Sequence, residues 1–164
     1  DPDSIPLRVA TAILGSGFTG RLMATVRDKE GLTYGIGSRV GGDAFTQGDW
    51  RIVASFAPAL LEKGLASTRR ELKKWYDDGV TPAELDRVKT NLTGSYKVGL
   101  ATTDGIAGMI LATVLRGYDL TWLDEYPKTI DAVTLDQVNA VIKKRLNPDN
   151  MVLIKAGTVP IPAK

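Results

Sequence analysis

The clearest chemical pattern lies at residues 15–20, which read GSGFTG and match G-x-G-x-x-G, the glycine pattern of dinucleotide-binding folds. Asp43 follows a little over twenty positions later, where such a site needs an acidic residue. The pattern works only when a strand leads into the first glycine and the next helix points its N-terminus at the pyrophosphate. The residues before Gly15 have a helical period instead. We therefore predict a glycine-rich corner between two helices, where missing side chains let backbones approach closely.

Histidine and cysteine are both absent from the sequence. Without cysteine the chain has no disulfide framework, no thiolate metal site and no cysteine nucleophile. Without histidine it lacks the commonest metal ligand and the commonest general base at neutral pH. A serine–histidine triad is therefore impossible, and so is a zinc site of the familiar hydrolytic kind.

Length and composition indicate one globular core. Hydrophobic types make up 43% of the 164 residues, which suits a single domain. The 21 basic and 19 acidic residues leave a net charge of +2, which does not favour nucleic acid or an anionic membrane as a partner. No apolar run approaches the ~18 residues of a membrane span, so we expect none. The opening residues DPDSIPLRV indicate a mature fragment or an excised domain.

Apolar spacing predicts a helix on each side of the glycine corner. The first helix covers residues 4–14, opens with a capping serine and carries apolar residues all round, which predicts burial. The second helix carries one apolar residue every fourth position and ends at the glycine of RDKEG. Its apolar row consists of Phe18, Leu22 and Val26.

Two strands with a period of two follow the second helix. The apolar face of the first strand is formed by Leu32, Tyr34, Ile36, Ser38 and Val40. The second strand alternates over residues 50–56, and the loop GGDAFTQGD joins the two strands as an antiparallel pair.

The rest of the chain reads mainly as helices. One long helix is predicted over residues 58–78 and another helix over residues 104–116. Two capping boxes mark further helix starts, TPAE at 81–84 and TLDQ at 134–137. A short helix is predicted to kink or break at Pro127. The apolar run MVLIKAG predicts a central strand. This order predicts an α+β fold in which helices cover one face of a mainly antiparallel sheet.

The stretch AILGSGFTGRLMATVRDKEGLTYGIGS strongly resembles the second half-domain of M16-family zinc peptidases, the group of pitrilysin and the mitochondrial processing peptidase. The family pattern is LGGGF, then SRL, an arginine, and GLTY at a strand start. The segments GVTPAELDRVKTNL and NPDNMVLIKAG resemble later family landmarks, so the resemblance covers nearly the whole chain. Ser16 and the pair Thr19–Gly20 depart from the pattern with small residues, and we expect the corner to survive these changes.

The resemblance implies a LuxS/MPP-like metallohydrolase fold, with residues 1–164 forming a single inactive C-terminal domain of a longer subunit. Family members bind zinc through H-x-x-E-H and a downstream glutamate, and this chain has no histidine. The expected partner is therefore an H-x-x-E-H domain or subunit that holds the zinc, in a homodimer or a heterodimer, with a peptide as substrate. The resemblance leaves the bacterial periplasm and the cytoplasm both open as the location.

Arg27 and Tyr34 have the seven-residue spacing of the family's substrate-binding arginine and tyrosine. The resemblance implies that they contact the substrate backbone and support the tetrahedral intermediate. By spacing alone, Tyr34 could equally be a core residue of the strand and Arg27 a solvated helix residue. Structural roles in the corner are expected for Gly15, Gly17, Gly20 and Arg21. A scaffold domain of M16 type with no proteolytic role is the alternative function.

Overall fold

Residues 1–41 and 48–158 are described by a computed structural model. This part of the chain contains six α-helices, one π-helix, two strands and two short 3-10 turns. The elements are α1 (Ser4–Gly15), the π-helix (Met23–Lys29), β1 (Gly35–Gly41), β2 (Asp49–Ser55), α2 (Leu61–Asp78), α3 (Pro82–Gly99), α4 (Thr103–Leu115), α5 (Trp122–Asp131) and α6 (Leu135–Arg145), with 3-10 turns at Pro58–Leu60 and Pro148–Asn150.

The α+β prediction is confirmed, although the sheet in the described residues is small. It consists of β1 and β2, which pair antiparallel from Gly35 opposite Ser55 to Gly41 opposite Asp49. Helix α1 packs on the sheet, and one side-chain hydrogen bond joins it to each strand. Ser38 Oγ of β1 donates to Thr11 O at 2.8 Å, and Trp50 Nε1 of β2 donates to Thr11 Oγ1 at 2.9 Å.

Helix α1 lies at the centre of the core, as its apolar residues on all sides predict. Every residue from Val9 to Gly15 is buried, and the helix contacts β1, α3, α5 and α6. The fully buried side chains come from five helices or their flanks, and the core cluster that they form also includes Ile36 of β1. The largest of them are Trp75, Ile13, Leu14, Leu22, Ile130 and Ile142.

The glycine corner joins α1 to the π-helix without a nucleotide-binding geometry. A helix, and not a strand, ends at Gly15. A Cβ atom on Gly15 would lie 2.5 Å from the backbone nitrogen of Ser38, and one on Gly20 would lie 2.9 Å from Cα of Gly15. The glycines therefore let α1, the corner and β1 approach backbone to backbone. Asp43, the acidic residue that a nucleotide site would need, lies outside the described residues.

Both predicted capping boxes are present at the starts of α3 and α6. The helix does not break at Pro127, because α5 runs through it from Trp122 to Asp131. Proline cannot donate to the carbonyl four residues earlier, which belongs to Leu123. The hydroxyl of Tyr96 donates to that carbonyl at 2.9 Å and replaces the missing bond.

Two further predictions from periodicity were wrong. Residues 151–157, the predicted central strand, pair with neither β1 nor β2, and Val152 and Ile154 are exposed. An apolar run becomes a strand only where a neighbouring strand accepts its hydrogen bonds, and the described residues provide none beside it. Phe18 precedes the helical residues and lies in a turn, so it does not continue the row of Leu22 and Val26.

Among the described residues, no single helix is long and apolar enough to cross a membrane. Helices α3 and α4 pass that length and composition test only as a pair, and they are bent by 112° where they meet.

We expect Gly15→Ala to lower the free energy of unfolding by about 2 to 3 kcal/mol, because the new methyl group would meet backbone that cannot move aside. Gly94→Ala in α3 is the matched control: its Cβ would meet nothing within 4 Å, and removing a helical glycine should stabilise the chain by about 0.5 to 1 kcal/mol. Urea unfolding of both variants measures the two effects. Equal stability of Gly15→Ala and wild type would contradict the close approach.

Candidate functional site

The structure brings Arg27 and Tyr34 together at the surface. Cζ of the Arg27 guanidinium lies 5.4 Å from the centroid of the Tyr34 ring, within the range of a cation–π contact. Arg27 lies near the end of the π-helix, and Tyr34 immediately precedes β1. The seven-residue spacing read from the sequence is therefore bridged by one turn between a helix and a strand.

Backbone hydrogen bonds at the end of the π-helix set the path of this turn. Gly31 N donates to Arg27 O at 2.9 Å, and Leu32 N donates to Val26 O at 2.9 Å. Gly31 has a φ of 63°, a left-handed conformation that favours glycine. Thr33 Oγ1 then donates to Ser55 O on β2 and links the entry of β1 to its neighbour. The turn thus delivers Tyr34 to a fixed position beside the helix end.

Tyr34 is a surface residue, so its interpretation as a core residue was wrong. Its side chain is 88% exposed, because it lies before the first paired residue of β1 and the alternation of buried positions starts at Ile36. The phenol is therefore accessible to a ligand.

The guanidinium of Arg27 is partly covered, with 30% of its side chain exposed. Its Nη1 atom donates to Oδ1 of the neighbouring Asp28 at 3.3 Å. An ion pair this exposed contributes little to stability. The cation therefore remains available for hydrogen bonds with a ligand.

Phe18 is a third member of this surface that the sequence analysis did not identify as a site residue. Its ring centroid lies 5.5 Å from Cζ of Arg27, and its side chain is 72% exposed. An aromatic residue inside a glycine-rich corner was the available signal, but the helical spacing to Leu22 suggested a core position instead.

Arg21 fixes the corner to the helical layer. Its guanidinium binds the carboxylate of Glu84 through two bonds, Nε to Oε1 at 2.6 Å and Nη2 to Oε2 at 2.7 Å. Nη2 also donates to the carbonyl of Gly79 at 2.8 Å. The side chains are 15% and 16% exposed, so the pair is largely shielded from water.

The same carboxylate closes the capping box of α3. Burial by itself would raise the pKa of Glu84, but hydrogen bonds from Arg21 and from Thr81 outweigh it and lower the pKa to about 2. Thr81 N donates to Glu84 Oε2 at 2.8 Å. Glu84 is therefore ionised at neutral pH and holds the corner and the start of α3 together.

No metal-binding cluster exists among residues 1–41 and 48–158: no three carboxylate, histidine or cysteine side chains lie close enough together to hold an ion. The exposed Phe18–Arg27–Tyr34 surface offers hydrogen-bond donors and apolar rings. None of these three side chains is a carboxylate or an imidazole, the commonest groups that activate water.

The protein-family model of the peptidase M16 inactive domain matches residues 1–92, more than half of the chain. The chain belongs to this family. An uncharacterized zinc protease of Streptomyces coelicolor is 31% identical over 135 residues, covering 82% of this chain and 29% of the relative. The non-peptidase homolog YmxG of Helicobacter pylori is 27% identical over 143 residues, covering 83% of this chain and 31% of that protein.

A solved M16 inactive domain has the same fold. The crystal structure of the domain from Pseudomonas fluorescens superposes with a TM-score of 0.80 at 31% identity, covering 91% of this chain and 35% of that chain. This M16 domain spans less than a third of the length of the curated relatives named above. It is an M16-type domain of the non-catalytic kind, consistent with its lack of histidine.

We expect Glu84→Gln to lower the free energy of unfolding of this M16 domain by about 2 to 3 kcal/mol at neutral pH. The variant leaves Arg21 charged and without its carboxylate, but some remaining contact with water keeps the cost below that of breaking a fully buried pair. Glu62→Gln, which removes an exposed pair with Lys155, should change stability little.

The same ion pair predicts a pH dependence. The pKa of Glu84 is lower in the folded state, about 2, than its ordinary value of 4.5. Its contribution to stability is therefore complete above pH 4.5 and is lost as the pH falls towards 2. Urea unfolding at a series of pH values should show a shallower acid limb for Glu84→Gln than for wild type. Parallel acid limbs would contradict the role of this carboxylate.

Proposed function

We propose that this domain is the substrate-binding half of an M16-type zinc peptidase and closes over a peptide opposite a zinc-bearing half. One observation carries the proposal: Arg27 and Tyr34 lie together on the surface, with the phenol 88% exposed. A residue pair kept only for the core would be buried. Residues 1–164 then form one domain of a longer subunit or of a two-subunit enzyme.

The chemistry of the pair suits the transition state of peptide hydrolysis. The Tyr34 hydroxyl can donate a hydrogen bond to the oxyanion that develops on the scissile carbonyl. The Arg27 guanidinium carries in-plane N–H donors that can bind substrate carbonyls and add fixed positive charge. Zinc in the partner half would supply the activated water. The present chain would orient the peptide and stabilise charge.

A scaffold role is the second candidate function. It is favoured by one relative, YmxG, whose name calls it a non-peptidase homolog. A scaffold has no need for an exposed tyrosine beside an arginine, so the kinetic effect of changing Tyr34 separates the two functions.

We expect the isolated chain to bind no stoichiometric zinc and to cleave no peptide, because it has no histidine and no metal cluster among its described residues. Hydrolysis should appear when the chain is assembled with an H-x-x-E-H partner of the same source. Metal analysis measures the bound zinc, and cleavage of a quenched fluorescent peptide library measures hydrolysis with and without the partner. Zinc bound one to one, or cleavage by the chain alone, would sink the proposal.

In the assembled enzyme, Tyr34→Phe should lower kcat by about 10- to 100-fold and change KM little, because the lost hydrogen bond is made mainly in the transition state. Tyr118→Phe is the matched control, since this partly exposed tyrosine stacks on Trp122 at 4.6 Å, away from the Arg27 surface. Wild-type kcat and KM for Tyr34→Phe would contradict the oxyanion role and favour the scaffold.

A further inference from the structure

Packing in the hydrophobic core does not account for the position of Phe18. Its ring is 72% exposed, and it is not a member of the buried core. An exposed phenylalanine gains little from the hydrophobic effect, which rewards only area removed from water. The ring lies against the guanidinium of Arg27, with 5.5 Å between Cζ and the ring centroid.

The backbone of the corner holds Phe18 in this position. Gly17, just before it, has a φ of 64°. On the other side, the carbonyl of Thr19 accepts a hydrogen bond from Arg87 Nη2 at 3.3 Å, and Gly20 packs against the backbone of Gly15. The exposed turn that carries the ring therefore runs between two buried glycines, Gly15 and Gly20.

Arg27, in contrast, is weakly held by charge. Its ion pair is with the adjacent Asp28, whose side chain is 52% exposed. Holding a long arginine side chain in one rotamer costs conformational entropy, which an exposed ion pair offsets only in part. The two rings that its Cζ approaches, Phe18 and Tyr34, come from different segments and restrict it from outside its own helix.

We propose that Phe18 is a positioning residue, which holds the guanidinium of Arg27 beside Tyr34 through a cation–π contact. This inference rests on the proposed function for its consequence in catalysis. The ring acts on the cation through its negative face, which an aliphatic side chain lacks. Arginine donors lie in the guanidinium plane, so a ring contact can fix the cation while its N–H groups bind a peptide.

The test uses the assembled enzyme, this chain with its zinc-bearing partner, and a peptide that it cleaves. Phe18→Leu keeps an apolar side chain but removes the ring, and we expect KM to rise about 2- to 5-fold with kcat nearly unchanged. Phe18→Tyr keeps the ring and should restore the wild-type KM. A wild-type KM for Phe18→Leu would overturn the proposal, as would an equal rise for Phe18→Tyr.

A double-mutant cycle shows whether Phe18 acts through Arg27. In an Arg27→Ala background, Phe18→Leu should have no further effect on KM, because the group that the ring positions is gone. If the two effects multiply, Phe18 contacts the substrate directly and the positioning role is wrong. Thermal unfolding should be the same for Phe18→Leu and wild type, since the ring is exposed.

A spectroscopic measurement separates this inference from the proposed function. In NMR spectra of the whole chain, the Arg27 Nε–Hε signal should move when Phe18 becomes leucine and stay near its wild-type position when Phe18 becomes tyrosine. An unchanged Arg27 signal in Phe18→Leu would overturn the contact itself. If the contact is seen but Arg27→Ala and Tyr34→Phe leave the kinetics unchanged, the proposed function fails and the positioning of Arg27 stands.

Discussion

The arrangement of this domain depends on the ion pair between Arg21 and Glu84. Arg21 comes from the glycine corner, and Glu84 comes from the first turn of α3, sixty-three positions later in the chain. The two charged side chains are largely shielded from water. Because an unpaired charge in such a position is costly, each side chain keeps the other in place. Glu84 also caps α3, and Arg21 also binds the carbonyl of Gly79 in the turn before α3. One ion pair therefore joins the glycine corner to this turn and to the start of α3.

The absence of side chains at two glycines is the second constraint, and it acts at much shorter range. Gly15 brings the end of α1 against the backbone of Ser38, and Gly20 lies against Gly15. This packing places the corner between α1 and the sheet. The ion pair then fixes it against the helices. Both constraints surround the same short segment, which is why a corner so rich in glycine can present the ring of Phe18 at a defined position.

The proposed function divides the work of a peptidase between two halves, of which this domain would hold the substrate and the other would cleave it. An M16 domain without histidine has no ligands for catalytic zinc, yet its surface places two exposed aromatic rings around an arginine. Donors and rings of this kind bind extended peptides without doing chemistry on them. The proposed division would need a second, zinc-bearing half, and the chain spans less than a third of the length of the curated relatives.

The sequence by itself determined what depends on local spacing and on composition. Helix α1, both capping boxes, the paired strands and the lack of histidine were all readable, since hydrogen bonds between near neighbours and residue types decide them. The tertiary structure alone decided what lies beside what. In the tertiary structure Tyr34 and Phe18 are exposed, Tyr96 donates to the carbonyl that Pro127 leaves without its helical partner, and residues 151–157 have no partner strand. Exposure and pairing at these positions depend on residues distant in the chain, which a local periodic pattern does not specify.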